Sequence, residues 1–232
     1  MSCVAIIPAR GGSRRIPRKN IKMFHGKPII AYSIEAAKES GLFDEIWVSS
    51  EDHEIGSLSM QLGAKWHPRS KELSEDGIGT QLVMAGVLSE LWPGAYNRPE
   101  YACCIYATAP LLDVSSLQFA KYELDCDDKC EYAFSVGCNP LQDAGQFYFG
   151  KTRAFLAGVP LVWPSSKMIP IKDDLVCDIN TMDDWNRAEQ MYSKLHGLTV
   201  DGVPVVSGDS FSGSIKEAMD ISNRVTALQE KK

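Results

Sequence analysis

Up to about position 136 the chain alternates between two hydrophobic patterns. Short, nearly unbroken apolar runs occupy 3–8 (CVAIIP), 45–50 (EIWVSS), 64–68 (AKWHP), 101–110 (YACCIYATAP) and 131–136 (EYAFSV). Such runs suit strands buried on both faces of a parallel sheet. Between them, apolar residues recur at helical spacing over 28–41, 52–63, 79–92 and 114–124, with Pro28 placed to open the first helix and Gly41 to stop it. Repeated strand–helix units of this size predict a three-layer α/β fold with a mostly parallel sheet.

Beyond Val136 the rhythm breaks. Residues 145–150 (GQFYFG) and 159–163 (VPLVW) read as short strands around a brief helical turn. Residues 175–197 read as a strand followed by a helix capped by Thr181, with Asp183 and Asp184 favourable in its first turn. The sheet is therefore expected to be mixed. Residues 198–213 are glycine-rich and turn-like, and they precede a final amphipathic helix. There Ser214 and Glu217 suit a capping box, and Ile215, Met219, Ile221, Val225 and Leu228 form a stripe expected to pack on its own domain or on a symmetry partner. The division is a main domain over 1–197 and an extension over 198–232.

With 232 residues, 44% of them hydrophobic, the chain can bury a substantial core. Its start lacks a basic segment ahead of the first apolar run, and no stretch approaches the roughly 18 uninterrupted apolar residues of a membrane span. A cytoplasmic protein is expected. Most of the seven cysteines lie inside apolar runs, which suits buried thiols better than a disulfide framework. Cys126 and Cys130, in CDDKC, lack the further ligands a zinc site needs. A net charge of -6 argues against a nucleic-acid partner, because phosphate backbones need broad positive surfaces.

That acidic balance makes one segment conspicuous. Arg10, Arg14, Arg15, Arg18, Lys19 and Lys22 are 6 of the 24 Lys and Arg residues, with no acid among them. They follow the first strand, at the end of a sheet where wound α/β folds bind ligands. Gly11 and Gly12 would let backbone N–H groups meet an anion while the cations neutralise it. The loop suits a polyphosphate, but it is neither a Walker A loop nor a G-x-G-x-x-G fingerprint. A merely solvated basic loop is the plainer alternative.

Seven motifs, IIPARGGSRRIPRKN, GKPIIAYSI, VSSEDHEI, PRSKELSEDGIGT, YATAPLL, DAGQFYFGK and CDINTMDDWNRAE, occur in this order. Together they resemble the sugar-acid cytidylyltransferases, the acylneuraminate cytidylyltransferase family that makes CMP-activated nonulosonic acids. The resemblance runs from about residue 3 to 195. It implies a nucleotide-diphospho-sugar-transferase-like, Rossmann-like fold and transfer of CMP from CTP to the anomeric hydroxyl of a sugar acid. Pseudaminic acid is the first candidate acceptor, with legionaminic acid, N-acetylneuraminic acid and Kdo as alternatives. Arg10, Ser13, Arg14 and Lys19 would meet phosphate oxygens, Asn20 would position the nucleotide, and Arg10 would also orient the reacting centre. Arg69 would reach the cytosine and Asp76 matches an acidic position downstream, although both could instead be charges flanking a turn. Thr108 would leave room for ribose or sugar, or simply end a strand. Gln146 would lie near the acceptor carboxylate.

The resemblance also implies Mg²⁺, held by two aspartates separated by one residue. Here the triplet is Asp178-Ile179-Asn180, so Asn180 brings an amide oxygen without charge and metal affinity should fall. Asp178 joins Arg10 and Lys19 as the expected catalytic set. Ser50 and Glu51 stand where Thr-Asp is more frequent. Only residues 137–144 separate two strands between which the family usually inserts a longer excursion that helps bind the sugar and form the dimer. Residues 198–232 could replace that homodimer surface. These departures keep open a nucleotide-binding protein without turnover.

Overall fold

The structure, a computed structural model, describes residues 2–162, 164–200 and 203–204. Along the chain come β1 (Cys3–Pro8), a single turn at Lys19–Ile21, the small hairpin β2 (Met23–Phe24) and β3 (Lys27–Pro28), and α1 (Ile29–Glu39). Next are β4 (Glu45–Ser50), α2 (His53–Gln61), β5 (Lys65–Pro68), a turn at Glu72–Ser74, α3 (Thr80–Leu91), β6 (Tyr101–Ile105) and α4 (Val114–Cys126). The chain continues through β7 (Tyr132–Cys138), β8 (Leu141–Lys151), α5 (Thr152–Leu156), β9 (Ser166–Ile171), a turn at Asp173–Leu175 and α6 (Met182–Leu195). The described part closes with β10 (Thr199–Val200) and β11 (Val203–Pro204). The amphipathic helix expected after Ser214 lies outside the described residues.

Seven strands form one mixed sheet in the order β5-β4-β1-β6-β8-β7-β9. β1 runs parallel to β4 and β6, β4 to β5, and β7 to β9, while β8 is antiparallel to both its neighbours. Alternation within β1 explains the unbroken apolar run. Cys3, Ala5 and Ile7 enter the core shared with α1, α2, α4 and α6, whereas Val4 and Ile6 enter the core shared with α3 and α5. Both faces of the strand are thus dry, and the three layers follow.

Helix starts follow local chemistry. Asp52 accepts hydrogen bonds from the backbone N–H groups of Glu54 (2.9 Å) and Ile55 (3.1 Å), capping α2. Thr181 and Asp184 form a reciprocal capping box at α6.

Two expected strands are absent. Residues 159–162 make no ladder: Pro160 has no N–H, and the Val159 carbonyl accepts from Tyr132 Oη (3.1 Å) and the Gln81 amide. The neighbouring strand begins instead at Ser166. Residues 175–180 are also outside any strand, and side chains from elsewhere satisfy two carbonyls of the segment. Gln146 Nε2 donates to Leu175 O (2.6 Å), and Lys19 Nζ donates to Ile179 O (2.7 Å). β7 and β8 are joined by two residues, so the short 137–144 segment is itself the tip of a paired hairpin.

Candidate active site

A cleft of about 490 Å³ opens beside the carboxyl ends of β1 and β6. Arg10, Ser13, Arg14, Arg15, Lys19, Asn20, Arg69, Asp76, Thr108 and Asn180 all line it, with Ser74, Thr80 and Tyr106 on the same wall. Five cations therefore face two acids, Glu75 and Asp76.

The six cations of the basic loop divide into two groups. Arg18, in the left-handed region at φ 55, turns to the start of α2 and pairs with Asp52 and Glu54. Those carboxylates, Asp52 first, hold its guanidinium pKa above the usual arginine value. Lys22 lies 5.0 Å from the centre of the Trp185 ring. These two are structural. Arg10, Arg14, Arg15 and Lys19 are the cations left for the cleft.

Their positions are set by long-range contacts. Arg10 pairs with one oxygen of Asp76, and Arg14 with the other at 2.8 Å. Asn20, buried, donates its amide to Arg10 O (2.8 Å), which pins the loop back on itself. Burial holds the Lys19 ammonium below the usual lysine pKa, opposed by Asp178 and reinforced by Arg15 and Arg10.

The two glycines play different parts. Gly11 N–H donates to Glu51 Oε1 (2.8 Å), and a Cβ at Gly11 would meet the Asp52 carboxylate at 2.5 Å. Its small size thus serves close packing, and its donor is already engaged. Gly12 faces open space and is exposed. Glu51 Oε2 lies 3.6 Å from Arg69 Nη2, so one carboxylate links the basic loop to the buried arginine. Arg69 also donates from Nε to Ser74 Oγ (2.9 Å). Burial lowers its guanidinium pKa, with Glu51 opposing. Glu51 is a residue that sequence reasoning noted only as a departure; its bridging depends on a contact 18 positions away.

Gln146 and Asp178 do not line this cleft. Gln146 is buried, and beneath its side-chain bond to Leu175 its backbone carbonyl accepts Tyr106 N–H (2.9 Å). Asp178 is exposed, between buried Cys177 and Ile179. The extended chain does place Asp178 and Asn180 on one side, as expected from alternation.

This donor set does not fit a two-carboxylate magnesium site. Asn180 Oδ1 accepts from Arg15 Nη2 (2.9 Å), while its amide nitrogen donates to Asp178. A guanidinium thus occupies the oxygen that a cation would need, leaving one carboxylate. Among the described residues, no group of three or more His, Cys, Asp or Glu side chains is arranged to hold a metal ion.

The family model described as Cytidylyltransferase matches residues 4–138. Pseudaminic acid cytidylyltransferase of Campylobacter jejuni subsp. jejuni serotype O:23/36 (strain 81-176) is 37% identical over 230 residues, covering 84% of this chain and 98% of the relative. N-acylneuraminate cytidylyltransferase A of Danio rerio is 30% identical over 220 residues, covering 80% of this chain and 50% of the relative. Among solved structures, CMP:2-keto-3-deoxy-manno-octonic acid synthetase complexed with CTP superposes with a TM-score of 0.65 at 13% identity, covering 84% of this chain and 99% of that one. That likeness carries the fold.

Proposed function

Because this chain belongs to the cytidylyltransferase family, we propose that it transfers CMP from CTP to the anomeric hydroxyl of a nonulosonic acid, pseudaminic acid first. The observation that carries this reading is the cleft itself: four cations of the loop after β1 and the distant, buried Arg69 line it against two acids. The new bond joins the anomeric oxygen to the α-phosphorus of CTP. The bond to the β-phosphate oxygen breaks, pyrophosphate leaves, and the hydroxyl proton passes to solvent. Charge accumulates on phosphate oxygens, so placed guanidinium and ammonium groups supply the principal stabilisation.

The residues divide the work along the cleft. Arg10, Arg14 and Lys19 would hold phosphate oxygens, with Gly12 and Ser13 offering backbone and hydroxyl donors. Asp76 now pairs with both Arg10 and Arg14, so the triphosphate would displace it and take over both pairs. Arg69, fixed by Glu51 and Ser74, would reach the base, and Thr108 and Tyr106 would border the sugar of the nucleotide. Magnesium enters this proposal only as a companion of the triphosphate, because Asp178 and Asn180 do not build a site for it. Gln146 acts from below by holding β6 and the 175–180 segment in place. A cytoplasmic location and a homodimer belong to the same proposal; no helix among the described residues is long and apolar enough to cross a membrane.

The test is CTP-dependent pyrophosphate release with a panel of pseudaminic, legionaminic and N-acetylneuraminic acids and Kdo. Release with pseudaminic acid far above the rest is the expected result. Equal release with Kdo would reject the acceptor, and CTP binding with no release from any acceptor would favour a binding protein without turnover. The two-residue β7–β8 connection and the missing second carboxylate are the observations favouring that second reading.

A further inference from the structure

Four arginines line the cleft, and three of them are already matched to carboxylates: Arg10 and Arg14 to Asp76, and Arg69 to Glu51. Arg15 differs. Among the described residues it makes no ion pair, yet its guanidinium is not free to wander, because Nη2 donates to Asn180 Oδ1 at 2.9 Å. Asn180 is itself fixed. Its backbone N–H donates to Asp184 Oδ2 (3.1 Å), the same carboxylate that closes the α6 capping box, and its amide nitrogen donates to Asp178. Lys19 adds a further tie to this segment through Ile179 O. The start of a helix thus holds a neutral carboxamide, and the carboxamide holds an arginine on the cleft wall.

Neutrality of the acceptor is the decisive chemistry. An aspartate at 180 would orient the same guanidinium but cancel most of its charge. An asparagine orients it and leaves the positive charge for a ligand. We infer that Arg15 is a phosphate-binding residue of this cleft, that Asn180 is its positioning residue, and that this fixed cation stands where a second metal-binding carboxylate would otherwise act. The inference rests on the cytidylyltransferase reading and deepens it. It also gives Asn180 a purpose, instead of treating it as a weakened metal ligand.

The test is calorimetric titration of CTP and of cytidine into wild type, Arg15→Ala, Arg15→Lys, Asn180→Ala and Asn180→Asp, each in magnesium and again in EDTA. Wild type should bind CTP in both. In EDTA, Arg15→Ala should weaken CTP roughly tenfold to hundredfold, the scale of a hydrogen bond to a charged group. Cytidine should be unaffected, and Arg15→Lys should fall between. Asn180→Ala should lose less than Arg15→Ala, and a variant carrying both Arg15→Ala and Asn180→Ala should lose no more than Arg15→Ala, because both changes act through one guanidinium. Asn180→Asp should also weaken CTP in EDTA. Unchanged thermal midpoints would confirm that the exposed Arg15 variants remain folded. Arg15→Ala binding CTP within twofold of wild type, Asn180→Asp binding it more tightly in EDTA, or wild type binding CTP only with magnesium would each overturn the inference. Failure of wild type to bind CTP in either buffer would instead remove the cytidylyltransferase reading beneath it.

Discussion

A larger groove lies on another face, about 880 Å³ between α1, α6 and residues 110–114 and 172–175, against about 490 Å³ for the arginine-lined cleft. Volume alone would favour the larger groove over the cleft proposed for CTP. The larger groove carries Lys27, Lys172 and Lys194 against Glu35, Glu39, Asp113 and Asp174, so it holds no positive excess, and Lys27 pairs with Glu35. The smaller cleft carries five cations against two acids, with Arg69 nearly sealed from water. Gathering like charge costs folding energy, and a ligand of opposite charge is what makes such a cluster worth maintaining. Charge imbalance, not size, is what singles out the smaller cleft as the proposed nucleotide site.

Several measurements would break or sharpen that contrast. Arg10→Ala should lower turnover by roughly 10²–10³, the scale of removing one transition-state donor. Its thermal midpoint should barely move, since the side chain is 41% exposed; a large loss of stability at unchanged turnover would contradict the assignment. Arg69→Ala should act on both properties. It strands the Glu51 carboxylate, so unfolding free energy should fall by roughly 3 kcal/mol in denaturant titration, and CTP affinity should fall with it. Asp76→Asn removes the internal competitor for Arg10 and Arg14, so CTP affinity should rise several-fold by calorimetry, and a loss would show that Asp76 contacts the nucleotide directly.

Lys19 provides a pH test with two opposite signs. Its folded pKa lies below 10.5, so as pH rises it loses its proton before a lysine in the unfolded chain does. In that window the unfolded state binds more protons, and this group's contribution to stability rises with pH while CTP affinity falls. A parallel fall of both, absent in Lys19→Met, would reject this account of the ammonium. The smallest effect belongs to the larger groove: Lys194→Ala should leave CTP affinity unchanged and stability within about 0.5 kcal/mol.

Much of this arrangement was legible in the sequence where a local rule decides the outcome. The run CVAIIP carries its burial on both faces as an unbroken apolar pattern within six residues, and the Thr181 cap of α6 is made by residues only three positions apart. Arg10, Arg14 and Lys19 were legible as a cluster, but the separation of Arg18 from them was not: only the fold brings Asp52 and Glu54 within reach of its guanidinium. The sequence alone suggests Gly11 N–H for a phosphate, whereas the fold spends it on Glu51. The expected 175–180 strand is absent, and a lysine and a glutamine from elsewhere satisfy two carbonyls of that segment. In the sequence Asn180 reads as a weakened metal ligand, whereas the fold brings Arg15, distant in sequence, onto its oxygen.

A crystal structure with CTP would test the central claim most directly. The account predicts a triphosphate in the smaller cleft, touching Arg10, Arg14 and Lys19, with the Asp76 carboxylate displaced from both arginines. Nucleotide seated in the larger groove, or bound while the Asp76 pairs remain intact, would contradict it.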